Sequence, residues 1–262
     1  MNIDMGSARA RWGLGAAALL GLTATGLFVG PALAGNAANW PAAKSEHWGV
    51  IDRNTIGSPV AELRDGPYSP LSNGQISAPP FGKGSLGIEV ANFGSGTASA
   101  EKVAYGNEVD FLGNPVSGLT QVGFQVFQTG ENTTTNGPAT NMPNITIEIN
   151  PHVAGKTYTS MVWDPPASPV VDQWSPYLDA TNSGVWYFSG STGTATSCGI
   201  SNSCTLAQAQ AALVAHNDGT GAATILTVAI AKGRDYAWQG AVDGLRINDK
   251  VYDFETDGVH AH

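Results

Sequence analysis

Trp163, Trp174, Trp186, Trp238, Tyr177 and Tyr187 gather in the second half of the sequence, amid Asp164, Asp172, Asp179 and Asn182. An aromatic ring buries the C–H face of a sugar, while carboxylates and amides bond its hydroxyls, so these residue types suit saccharide recognition. Exposure is expected above all in WDPPASPVVDQWSPYLDA (163–180), whose prolines prevent regular strand pairing. Trp163, Asp164, Trp174, Tyr177, Asp179, Asn182 and Tyr187 are therefore the candidate ligand-binding residues. The competing expectation is that a large β-protein seats its tryptophans in the core.

Carboxylates supply the second possible chemistry. Glu108 and Asp110 alternate along one expected strand and so share a face. The closing stretch WQGAVDGLRINDKVYDFE (238–255) interleaves Asp243, Asp249, Asp253 and Glu255 with apolar residues, the pattern of a strand with a wet face. No G-x-S-x-G elbow or H-E-x-x-H motif occurs, and His47, His152, His216, His260 and His262 are scattered. The only cysteines, Cys198 and Cys204, are close enough to bridge, and with no second pair or spaced histidine they read as a staple rather than a metal site. Closing so short a loop contributes roughly 2 kcal/mol in the chain-entropy model.

The elements that must position these residues follow from composition and periodicity. Arg9 and Arg11, a soft apolar run and PALA at 31–34 are the signature of a cleaved signal peptide, so the product is expected to be secreted as residues 35–262. Without Arg9, Arg11 and Asp4, ten basic and twenty acidic residues give a net charge of −10. That balance carries no footprint for nucleic acid or anionic lipid and leaves a polysaccharide or cell-surface glycan as a partner. No later stretch reaches the ~20 apolar residues of a membrane span.

Glycine, proline, serine, threonine and asparagine punctuate many short alternating runs. Val122, Phe124 and Val126 share one face against Gln121, Gly123 and Gln125; Ile145, Ile147 and Ile149 oppose Asn144, Thr146 and Glu148. Such runs are half-buried antiparallel strands. One stretch reads as a helix, CTLAQAQAALVAHNDG, with capping-box spacing between Thr205 and Gln208. The expected architecture is an all-β, two-sheet antiparallel sandwich of jelly-roll topology with one short helix. Residues 35–75 read as an N-terminal extension, 76–257 as the sandwich and 258–262 as a tail.

FGKGSLGI (81–88) resembles the opening strand of concanavalin A-like lectin and glucanase sandwiches, and GAVDGLRI (240–247) resembles their closing strand in laminin-G-like domains. DATNSGVWY (179–187) and the terminal YDFE are similar to stretches of secreted actinobacterial proteins. The resemblance implies that the opening and closing strands lie side by side. It also implies a calcium site beside the sugar, with Asp243 as metal ligand and partners among Asp164, Asp179 and Asn182; otherwise Asp243 caps a turn or pairs with Arg246 or Arg234. In the laminarinase branch, E-x-D-x-x-E supplies two catalytic carboxylates, but Gly113 stands where the acid belongs, so no catalytic residue is assigned. The expected function is a secreted, non-catalytic carbohydrate-binding or cell-surface module. The alternatives are a polysaccharide hydrolase or lyase of the same fold, and a structural or protein-interaction domain without a small ligand.

Overall fold

The computed structural model describes residue 40 and residues 42–91 and 101–262. The expected signal peptide, residues 1–34, lies outside them. In chain order the strands are β1 (Trp48–Val50), β2 (Val60–Asp65), β3 (Ser69–Pro70), β4 (Ile76–Ser77), β5 (Gly84–Val90), β6 (Val103–Asn107) and β7 (Val122–Gln128). Helix α1 (Gly130–Thr134) precedes β8 (Asn144–Asn150), β9 (Thr159–Asp164), β10 (Gln173–Trp174), β11 (Leu178–Asp179) and β12 (Val185–Phe188). Helices α2 (Gly190–Thr196) and α3 (Leu206–Ala215) then lead to β13 (Thr224–Lys232), β14 (Trp238–Ile247), β15 (Lys250–Glu255) and β16 (Gly258–Ala261).

Two antiparallel sheets face each other as an all-β sandwich. The six-stranded sheet runs β1-β6-β13-β8-β9-β12. In the eight-stranded sheet the long β14 pairs with β7 along one side, and with β5 and then β15 along the other. Period-two alternation sets what lies between them. Val122, Phe124 and Val126 from one sheet and Ile145, Ile147 and Ile149 from the other are all fully buried in one core cluster. The opening and closing strands lie side by side, with Leu86 opposite Val242 and Ile88 opposite Gly240.

Helix α3 forms where the capping box directs it: Thr205 accepts from Gln208 N, and the Gln208 side chain accepts from Thr205 N. Its apolar residues Leu206, Ala209 and Leu213 are buried in the core. Cys198 and Cys204 are disulfide-bonded, with Cα atoms 5.6 Å apart. The loop they close is fastened to β12: Trp186 and Cys204 exchange both backbone hydrogen bonds, and Phe188 N donates to Cys198 O. The bridge thereby fixes the loop that delivers α3.

Three expectations change. The single helix becomes three, because GSTGTAT at α2 has weak helix propensity yet buries Thr192, Gly193 and Thr196 beside β12. Residues 35–75 are not a mere extension: β1 adds the edge of the six-stranded sheet and β2 pairs with β5 in the other. The tail at 258–262 is not a tail either, since β16 pairs with β15 and buries Val259. In the last two cases ladder bonds to a neighbouring strand override a local sequence too short or too polar to read.

Candidate functional site

The outward face of the six-stranded sheet holds a cleft of about 560 Å³, and the strand register explains its lining. Asp164 of β9 stands opposite Val185 of β12; one residue along from the Ile145–Trp163 pair, Asn144 of β8 stands on its other side, opposite Ala231 of β13. Two residues along, and so on the same face, Tyr187, Val162, Thr146 and Ala229 form the next row. A smaller depression of about 190 Å³, lined by Thr146, Ser160 and Tyr187, continues the cleft across the sheet.

Three connections wall it: Pro165 and Pro166 after β9, residues 233–236 between β13 and β14, and the loop before β8. Tyr236 sits flush against that loop because residue 137 is glycine; a Cβ there would lie 2.8 Å from Tyr236 Cγ. Asn141 donates from Nδ2 to Ala237 O at 2.9 Å and ties two of the walls together.

Charge is concentrated at one end. Burial pushes the Asp164 carboxyl up to about 6, and the charge of Asp235 pushes the same way against the opposing Lys232. Burial, then the charges of Asp164 and Asp235, raise the Tyr187 hydroxyl to about 12, so it stays a protonated donor. Lys232, only 1% exposed, has its pKa lowered by burial and is held by an ion pair to Asp235. The cleft thus offers two tyrosine rings, the amide of Asn144, the Arg234 guanidinium, and a carboxyl that changes state near neutral pH. These groups can hydrogen-bond and stack on a hydroxylated ring.

The candidate residues divide among four environments. Asp164 and Tyr187 line the cleft. Tyr177 and Asp179 line a separate groove on the other sheet. Asn182 is exposed and donates to Asp179 Oδ2 at 2.6 Å, closing a polar turn with Thr181. Trp163 and Trp174 are core residues, contrary to expectation. Trp163 is fully buried, edge-on to Phe124 at 5.3 Å, with its Nε1 donating to Ser183 O at 2.8 Å. Trp174 packs on Phe127 and donates to Pro67 O at 3.0 Å. A large ring whose one polar atom finds a carbonyl is more stable inside than on a wet surface.

Asp243, the expected metal ligand, lies in the interior. It is fully buried, and its two oxygens accept from Phe81 N and Phe254 N at 3.1 Å each. Among the described residues no three His, Cys, Asp or Glu side chains group as cation ligands. Asp253 is likewise buried, so the acidic alternation of the closing segment is not simply a wet face. Glu108 and Asp110 lie past the end of β6, not on a shared strand face. Glu108 pairs with Arg53, whereas Asp110 accepts from Lys44 N, Asn107 Nδ2 and the His47 ring.

Tyr236, Asn141 and Arg234 escaped sequence reasoning because loops bring them together. Asn144 was legible as outward-facing from the alternation of β8. No described helix is long and apolar enough to cross a membrane. Compared with known proteins, the chain matches no family model, no curated protein and no solved structure.

Proposed function

We propose that this chain is a secreted, non-catalytic carbohydrate-binding module that takes a neutral polysaccharide segment in the cleft of the six-stranded sheet. The observation that carries this reading is the pairing of Tyr187 and Tyr236 with Asn144 and Asp164 in one open cleft of about 560 Å³. Ring faces pack on sugar C–H groups while the Asn144 amide and the carboxyl satisfy hydroxyls, and the continuing depression accommodates a chain rather than a single sugar. Secretion is supported by the signal-like residues 1–34 and by the disulfide, a bond that persists in oxidising compartments. The resemblance to concanavalin A-like opening and closing strands points the same way.

The test is depletion of residues 35–262 from solution by a panel of neutral polysaccharides. Retention by one glycan, reduced about tenfold or more in Tyr187→Ala and Tyr236→Ala with unchanged thermal stability, is the expected result. Retention by none of the panel sinks the proposal and leaves a scaffold or protein-binding role.

One observation favours a second reading, hydrolysis or lysis of the glycan: a carboxyl held near 6 in a cleft is suited to general acid chemistry. Release of new saccharide ends by the wild type, abolished in Asp164→Asn, separates this reading from pure binding.

A further inference from the structure

The outward face of the eight-stranded sheet carries a second groove, of about 360 Å³, built by a different set of residues. Its floor is a row across three strands. Gly123 of β7 stands opposite Arg246 of β14, and Arg246 opposite Val251 of β15. Gln121 and Gln125 lie two residues to either side of Gly123 and project from the same face.

Two glycines shape the walls. A Cβ at residue 123 would come within 2.6 Å of the Tyr177 hydroxyl, so its absence lets the tyrosine lie down on the sheet. Arg246 then sits with its guanidinium carbon 5.9 Å from the Tyr177 ring centre, a cation–π distance. Across the groove Phe81 lies against Gly244, where a Cβ would meet the ring at 2.6 Å and where φ is +61°. That left-handed residue lies within the bulge that interrupts the β14–β7 register between Asp243 and Arg246.

The state of Arg246 identifies the ligand chemistry. The guanidinium has five N–H donors, and among the described residues it gives one bond, from Nη1 to Gln121 Oε1 at 3.1 Å. It forms no ion pair among them, although the chain carries a net charge of −9. Asp179, which also lines the groove, has its oxygens taken by Thr181 and Asn182. A half-buried arginine with spare donors, two flanking glutamine amides and aromatic walls is a receptor for a planar anion attached to a hydroxylated ring.

We propose that this groove is a second ligand site for a uronic acid residue of an acidic polysaccharide. Arg246 pairs with the sugar carboxylate, Gln121 and Gln125 bond its hydroxyls, and Tyr177 and Phe81 pack against the ring. This site does not depend on the cleft of the opposite sheet, and occupation of both would let one molecule bridge a neutral and an acidic chain.

The experiment is calorimetric titration of residues 35–262 with oligogalacturonate and oligoglucuronate, with their carboxyl-reduced counterparts and with a capped dipeptide acid as comparators. Binding of one acidic oligosaccharide is expected, weakened about tenfold or more in Arg246→Gln and weakened less in Arg246→Lys, which keeps the charge without the planar fork. Tyr187→Ala leaves it unchanged. If Arg246→Gln does not fold, Gln121→Ala replaces it, with a several-fold loss expected. Equal binding of the carboxyl-reduced sugar overturns the proposal, as does equal binding of the dipeptide acid, indifference to the Arg246 variants, or no binding of either oligosaccharide by the wild type.

Discussion

The carboxylate of Asp243 accepts the backbone N–H of Phe81 at 3.1 Å, across 162 residues of chain. Its other oxygen accepts Phe254 N, so one side chain ties the approach to the opening strand, the closing strand and the strand after it. The aspartate that the laminin-G-like resemblance singles out stands at this junction. Asp243→Ala orphans two backbone donors, each worth roughly 1–3 kcal/mol when buried, and the predicted loss is about 2–4 kcal/mol. Burial raises this carboxyl to about 7, well above the ordinary aspartate value near 4. The folded state therefore holds a proton that the unfolded chain releases. The contribution from this group is fully present below about pH 4 and lost as the pH rises through about 7. Urea unfolding at pH 5 and pH 8 checks it: stability of the wild type falls between the two more steeply than that of Asp243→Ala. Equal slopes refute the assignment.

Much of this fold was legible because it rests on alternation. Val122, Phe124 and Val126, and Ile145, Ile147 and Ile149, face the core as period two requires. The capping box at Thr205 and Gln208 marks a helix start by chemistry local to four residues. Trp163 shows where reading stopped short. It stands two residues from the buried Met161 on the same strand, so inward placement was available from spacing, yet the prolines that follow it suggested an exposed loop. Of the apolar run 185–188, alternation requires Trp186 and Tyr187 to part company, and Trp186 is the one inside. The cleft itself was only half visible. Asp164 and Tyr187 come from adjacent strands, but Tyr236 and Arg234 arrive on a connection whose path depends on Gly137 and Asn141, more than ninety residues away. Arg246 was equally hidden, since nothing local says that its opposite residue is a glycine.

Glu148 titrates in the opposite sense. Its side chain is 1% exposed, and burial pulls its carboxyl up, but donors from Asn54 and Tyr158, both at 2.7 Å, and from Arg53 more than reverse this. The net pKa is lowered, so its stabilisation is present above the unfolded glutamate value near 4.3 and lost as the pH falls through the lower folded value. Glu148→Gln keeps one acceptor and removes the charge that binds Arg53. The predicted destabilisation is about 1–3 kcal/mol at pH 7, tempered by the exposure of Arg53. Thermal unfolding across pH 3 to 7 checks it. The gap between wild type and variant must narrow toward the acid end, and a constant gap rejects the charge-based account.

If the cleft binds a glycan as proposed, Asp164 is predicted to make that binding depend on pH. Its carboxyl, lifted to about 6 by burial and by Asp235, is mostly ionised at pH 7.5 and mostly protonated at pH 5. An ionised carboxylate would accept charge-assisted hydrogen bonds from sugar hydroxyls, which are stronger than neutral ones. Protonation replaces that acceptor with a weaker neutral pair. Retention of a neutral glycan is predicted to drop several-fold from pH 7.5 to pH 5, with a midpoint near 6, whereas Asp164→Asn binds at the lower level throughout. Neighbouring Tyr187, held up at about 12, does not titrate in this range and contributes a constant donor. Depletion measured at half-unit steps of pH separates the outcomes. A midpoint near 6 that disappears in Asp164→Asn assigns the transition to this residue. A pH-independent wild type, or a variant that retains the midpoint, means that the carboxyl does not meet the ligand.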